Sequence, residues 1–280
     1  MQAVSPELHA WFAAQLATGH TAETLCESMR DAGWHNDAVE AALREATSAG
    51  HVRPEAPVAE KRAGMPGPDL DGAPLHIDTG DRRVQVLQTM AHPRIVVFGN
   101  LLSDEECDGL IAAARERLAR SLTVETQTGG EAVNADRTSD GMFFERGENP
   151  IVSQVEARLA TLLRWPLENG EGLQILRYGP GAQYRPHYDY FEPKEPGTPI
   201  ILRRGGQRLA SLVMYLQEPE QGGATTFPDV GLEVAPVRGT GVFFSYDRPD
   251  PATRTLHGGA PVLAGEKWVA TKWLREREFK

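Results

Sequence analysis

The chain has 280 residues, 40% hydrophobic and 24% charged, with a formal net charge of -10. That length supports one well-buried domain and a small second one, and the composition is that of a soluble globular protein. The acidic balance argues against nucleic-acid binding. No window approaches the ~20 apolar residues of a membrane-spanning helix, and two cysteines, Cys26 and Cys107, set neither a disulfide framework nor a Cys-rich metal site.

The N-terminal stretch lacks the basic start and apolar run of a secretory signal, so a cytoplasmic location is expected. Residues 5–49 predict three short helices. Ser5 and Pro6 cap and open the first, which carries Leu8, Trp11, Phe12 and Leu16 at helical spacing. Thr21 caps a second with Leu25 and Met29, and Asn36 a third with Val39 and Leu43. Residues 1–50 hold two basic and seven acidic side chains, half of the net charge. Their layout resembles a ubiquitin-associated-type module, which implies docking of a protein partner. Residues 51–75, rich in Pro, Gly and Ala without periodicity, read as a linker.

Residues 76–280 form the main domain. "RRVQVLQ" and "RIVVFGNLL" predict strands, and Ser103 with Glu106 makes a capping box for an amphipathic helix. Short β-like runs follow: "GLQILRYG", "YRPHYDYF", "RLASLVMYLQ", "GLEVAPV", "GTGVFFSYD" and "GEKWVATKWLRE", separated by Gly-rich turns. The pattern is α+β and mainly β, an antiparallel sandwich or barrel of the jelly-roll type with supporting helices.

Three His-x-Asp triplets occur: His35 with Asp37, His76 with Asp78, and His187 with Asp189. The first starts a helix, where positions i and i+2 do not share a face, and the second borders the linker. On a strand His187 and Asp189 would project together, with Cα atoms roughly 7 Å apart. That geometry permits two ligands on one ion and equally permits a solvated face. Downstream, His257 lies on or beside a strand, and Lys267 alternates in phase with Val269, Thr271 and Trp273. Two imidazoles and one carboxylate suit non-haem Fe(II) and leave coordination positions open for a co-substrate and O2. A three-ligand zinc site is chemically open too, but does not explain Lys267, a cation suited to the far carboxylate of a dicarboxylic co-substrate.

The stretches "LQILRYGPGAQYRPHYDYF", "GGQRLASLVMYLQEPEQGGATTFP" and "LHGGAPVLAGEKWVATKWLRE" resemble the catalytic domain of the prolyl 4-hydroxylases, Fe(II)- and 2-oxoglutarate-dependent dioxygenases, over roughly residues 83–280. The resemblance implies a double-stranded β-helix core with iron ligands His187, Asp189 and His257, and a catalytic set completed by Lys267 on 2-oxoglutarate. It places Tyr178 and Thr225 beside the distal carboxylate and Tyr184 and Arg208 at the prolyl substrate. "RTS" at Arg137–Ser139 matches a signature at the site mouth, and "TQTGGEAVNAD" matches a loop that closes over substrate. Read without it, the two tyrosines are half-buried strand aromatics, Thr225 a hairpin residue and Arg208 a solvated charge. The implied reaction is hydroxylation at C4 of proline in a protein or peptide, with Fe(II), 2-oxoglutarate, O2 and ascorbate as reductant. Two alternatives stand beside it: hydroxylation of a free amino acid or small metabolite, and an O2- or 2-oxoglutarate-sensing protein that docks a partner through its N-terminal helices.

Overall fold

The computed structural model describes residues 29–30, 34–35, 39, 64–120, 122–124, 131–133 and 137–280. The chain divides into two units, Met1–Lys61 and Arg62–Lys280. In the first, Met29, Arg30 and Val39 are helical, and the Val39 N–H donates to the His35 carbonyl (3.1 Å). The three-helix layout of residues 1–50 as a whole, Cys26 and Asp37 lie outside the described residues. In the second unit, chain expected as linker up to residue 75 is already packed at Pro66. Pro66, Gly67 and Pro68 are buried, and the Gly67 N–H donates to the Leu163 carbonyl (2.8 Å). Composition hid this because the tether is to a helix far along the chain.

The elements of the second unit are, in chain order, β1 (His76–Asp78), β2 (Arg83–Met90), β3 (Arg94–Gly99), α1 (Asp104–Arg115), β4 (Ala119–Arg120), β5 (Leu122–Val124), β6 (Glu131–Val133), β7 (Asp140–Phe144) and α2 (Pro150–Leu163). Then come β8 (Leu173–Tyr178), β9 (Tyr184–His187), α3 (Thr198–Ile201), β10 (Arg208–Gln217), β11 (Gln221–Gly222), β12 (Thr225–Phe227), β13 (Leu232–Val234), β14 (Gly241–Ser245), β15 (His257–Gly259), β16 (Val262–Ala264) and β17 (Lys267–Arg275). Nine strands make one sheet in the order β1, β2, β3, β14, β10, β17, β8, β7, β4, and four make another in the order β13, β12, β15, β9. All pairings are antiparallel, and this mostly β arrangement is consistent with a jelly roll.

The large sheet is covered on both faces. On one, Val96, Phe98, Leu212, Met214, Phe243 and Trp268 pack with Cys107, Leu110 and Ile111 of α1 and with Val152, Val155 and Leu159 of α2. On the other, Leu176, Tyr215, Val242, Phe244 and Val269 pack with Phe227, Val234 and Val262. Double coverage explains why all nine residues of β17 are buried. Because side chains alternate, a one-residue slip of β17 would drive Lys267 into the helix-side core and Trp268 to the other face. At about 1.5–3 kcal/mol for each large apolar side chain buried, that slip is strongly resisted.

Both caps of the capping box form: Ser103 Oγ accepts from the Glu106 N–H (3.1 Å), and Glu106 accepts from the Ser103 N–H (2.8 Å). Helix α2 is absent from the sequence expectations, although Asn149 caps it and Pro150 occupies its first turn. It sets the phase of the site, because Glu156 pairs with Lys272 of β17 at 2.5 Å. With Lys272 held on the helix side, Lys267, Val269, Thr271 and Trp273 face the smaller sheet.

Candidate metal and co-substrate site

Strands β9 and β15 pair with His187 directly opposite His257, ring centroids 4.4 Å apart. Close approach here requires Gly258, since a Cβ at that position would come within 2.9 Å of the Tyr184 carbonyl oxygen. Asp189 is not on a strand, contrary to expectation. The ladder ends at His187, and the following chain is held by the Gln207 side chain, which accepts from the Phe191 N–H and donates to its carbonyl, both at 2.8 Å. This bend still delivers the carboxylate. Asp189 Oδ1 lies 3.6 Å from His187 Nε2 and Oδ2 lies 3.4 Å from His257 Nε2. The ligand atoms of the three residues fall within 4.8 Å of one another.

The protonation states suit a metal. His187 Nδ1 lies 2.8 Å from the Arg185 carbonyl oxygen and His257 Nδ1 2.9 Å from that of Thr255. A carbonyl only accepts, so each Nδ1 carries a proton, which leaves Nε2 as the atom that can ligate from the neutral imidazole. Burial pushes His257 down to about 4 against the opposing pull of Asp189, which keeps it neutral. Burial also disfavours the Asp189 carboxylate, but His257, His187 and Arg208 outweigh it and hold the group well below the usual range. Neutral imidazoles and an ionised carboxylate are the states that bind a divalent cation.

A cleft opens beside the three residues. Lys267, opposite Tyr178 in the β17 to β8 register, lies on its wall. Its ammonium donates to the Gly223 carbonyl at 2.6 Å and lies over the rings of Tyr178 (5.4 Å) and Tyr215 (5.9 Å). Burial lowers its pKa to about 8, and among the described residues it has no carboxylate partner. Thr225 Oγ1 accepts from the Tyr215 hydroxyl at 2.8 Å. Tyr184 stacks on His187, centroids 3.6 Å apart, with the Arg137 guanidinium 5.1 Å over its ring. Leu176, Val213 and Val269 supply an apolar wall.

The description "2OG-Fe(II) oxygenase superfamily" matches residues 173–275, which include all three clustered residues and Lys267. Prolyl 4-hydroxylase 5 of Arabidopsis thaliana is 38% identical over 222 residues, spanning 72% of this chain and 74% of that protein. The chain belongs to the prolyl 4-hydroxylase family. Prolyl 4-hydroxylase 1 of the same plant is 42% identical over 204 residues, 66% of this chain and 70% of its own length. Among solved structures, the viral collagen prolyl hydroxylase of Paramecium Bursaria Chlorella virus-1, in its 2-oxoglutarate complex, is 32% identical, covers 65% of this chain and 95% of its own, and superposes with a TM-score of 0.49.

Like other members of the prolyl 4-hydroxylase family, this chain is a 2-oxoglutarate-dependent dioxygenase, and the family implies Fe(II), 2-oxoglutarate and O2 as reagents. The His187, Asp189 and His257 donor set fits iron. Of the other expected residues, Lys267, Tyr178, Thr225 and Tyr184 all lie on the cleft. Arg208 does not. Its guanidinium is buried and doubly bonded to Glu171 (2.7 and 2.9 Å), stacked 4.0 Å behind Trp273. The physical reason is a buried carboxylate within reach, which claims the fork of the guanidinium. The loop residues 126–130 and 134–136 lie outside the described residues. Trp273 lines the cleft without having been singled out for it, and Tyr215, fully buried, supports the wall by donating to Thr225. The buried indole N–H of Trp273 has no acceptor among the described residues. Tyr215 was legible, since "LVMYL" places it in phase with Val213 on the cleft side of β10.

Proposed function

We propose that this chain hydroxylates prolyl residues at C4 in a protein or peptide, converting 2-oxoglutarate to succinate and CO2. One observation carries the proposal: the two imidazoles, the carboxylate and a buried lysine without a carboxylate partner all open into one cleft. The names of its relatives supply the substrate class. In this reading the core is a double-stranded β-helix.

His187, Asp189 and His257 would hold iron, which supplies the activation of O2 coupled to decarboxylation of the co-substrate. Lys267 neutralises the distal carboxylate of 2-oxoglutarate, and the Thr225 hydroxyl, which accepts from Tyr215 and so keeps its own proton to donate, lies on the same cleft to orient that group. Leu176, Val213 and Val269 exclude water from the reacting end, which strengthens every charge interaction there. Tyr184, fixed by its stack on His187, and Trp273 line the part of the cleft where a prolyl ring would dock. Ascorbate as reductant, a cytoplasmic location, and docking of a partner by the acidic residues 1–50 belong to the same proposal. The first follows from the reaction class, and the others from composition.

The test is aerobic incubation of the full chain with Fe(II), ascorbate, 2-oxoglutarate and proline-containing peptides, read by mass spectrometry for single-oxygen additions. Hydroxyproline is expected in peptides, with His187→Ala removing it. Oxygen on residues other than proline, or on free proline alone, refutes the substrate assignment.

A further inference from the structure

Strand β10 meets the site twice. Tyr215 reaches Thr225, and on the same face Ser211 reaches Asp189. Ser211 Oγ lies 2.5 Å from Asp189 Oδ2 and 3.0 Å from the Tyr246 hydroxyl. Ser211 is 0% exposed and Tyr246 1% exposed. Chemistry fixes the direction of this chain of bonds. An ionised carboxylate only accepts, so the single Ser211 proton points to Oδ2, and Tyr246 must therefore donate to Ser211. Bonds in series polarise one another, so Tyr246 strengthens the Ser211 donor. The Tyr246 ring is held independently by packing on Tyr190 (6.0 Å) and Phe244 (6.3 Å).

The three clustered residues do not themselves decide how the carboxylate binds, because each of its oxygens faces one imidazole at a similar distance. Carboxylates bind metals through one oxygen or two. Two-oxygen binding would occupy a coordination position that the co-substrate or O2 needs. Burying two hydroxyls is costly unless they are hydrogen-bonded, and this chain ends on a metal-facing carboxylate rather than on the backbone.

We propose that Ser211, backed by Tyr246, is a positioning residue: its hydrogen bond engages Oδ2 and keeps Asp189 a one-oxygen ligand through Oδ1, preserving an open position on the metal. The inference rests on the iron reading above. The 2.5 Å bond from Ser211 would occupy a lone pair of Oδ2 and oppose rotation of the carboxylate.

The test uses the full chain and Mn(II), a redox-silent probe. Metal uptake and the electron paramagnetic resonance line shape of the bound ion are followed first, then 2-oxoglutarate affinity of the Mn(II)-loaded protein by calorimetry. Ser211→Ala should keep Mn(II), change its line shape and bind 2-oxoglutarate about tenfold more weakly, the usual scale for losing a group that supports a ligand. Ser211→Thr, which keeps the hydroxyl, should stay within about threefold of wild type, and Tyr246→Phe should fall between the two. Unchanged line shape and affinity in Ser211→Ala, or a Thr variant as impaired as Ala, overturns the inference. Should Ser211→Ala fail to fold, Tyr246→Phe decides, because its ring packing survives; wild-type line shape and affinity there also overturn it. The two readings fail differently. If wild type takes up no more Mn(II) than His187→Ala, the metal site itself is wrong; if wild type binds and Ser211→Ala matches it, only the positioning role falls.

Discussion

Strand β17 buries two lysines that face opposite sides of the sheet. Lys272, toward the helices, pairs with the Glu156 carboxylate at 2.5 Å and also donates to the Glu171 carbonyl. Lys267, toward the cleft, has among the described residues only the Gly223 carbonyl and two aromatic faces. Burial depresses both, and for Lys272 the Glu156 carboxylate opposes the shift. A buried cation whose counter-ion lies in the same chain is scaffold. One that is buried beside a cleft without a counter-ion is half of an ion pair whose other half arrives with a ligand.

The largest effect that could break this contrast lies at the paired lysine. Lys272→Met should destabilise the fold by about 3–5 kcal/mol, because Glu156 is left charged and buried. Urea denaturation reads this, the double variant with Glu156→Leu should recover most of the loss, and 2-oxoglutarate affinity of the folded fraction should hardly change. Lys267→Ala should do the reverse. Loss of a charge-assisted bond of about 2 kcal/mol predicts a roughly thirtyfold higher KM for 2-oxoglutarate at undiminished stability.

A smaller effect comes from pH. With its pKa at about 8, Lys267 of the free enzyme is cationic below that pH and neutral above it. Co-substrate affinity should therefore be flat up to about 8 and then weaken toward about tenfold per unit. Calorimetry on Lys267→Arg should show no such fall, since arginine stays charged. The smallest expected change is at Thr225→Val, which leaves the Tyr215 hydroxyl without its acceptor; a cost of about 1 kcal/mol predicts roughly fivefold weaker 2-oxoglutarate binding. An unaltered KM would remove that pair from the co-substrate pocket.

Much of this was legible in advance. Strand β10 spans the run read for it, residues 208–217, because a short apolar run bounded by Gly-rich turns is a local property. The capping box at Ser103 and Glu106 is equally local. Helix α2 carries its own local signals, the Asn149 cap and Pro150 in its first turn. Asp189 kept its place near His187 for a different reason from the one expected: the bend is held by Gln207, which no strand pattern reveals. Arg208 moved off the cleft because its partner Glu171 is 37 positions away in sequence.

The sequence by itself determined the donor set, its order, and the alternation that turns Lys267 and Lys272 to opposite faces, since residue type and backbone period act over a few positions. Only the tertiary structure decided which buried charges are neutralised from within. Lys272 finds Glu156 across 116 positions and Arg208 finds Glu171, while Lys267 meets a cleft, and Asp189 receives a serine from another strand. Charge pairing in a low-dielectric interior depends on which groups packing brings within a few ångströms, and local sequence carries no record of that distance.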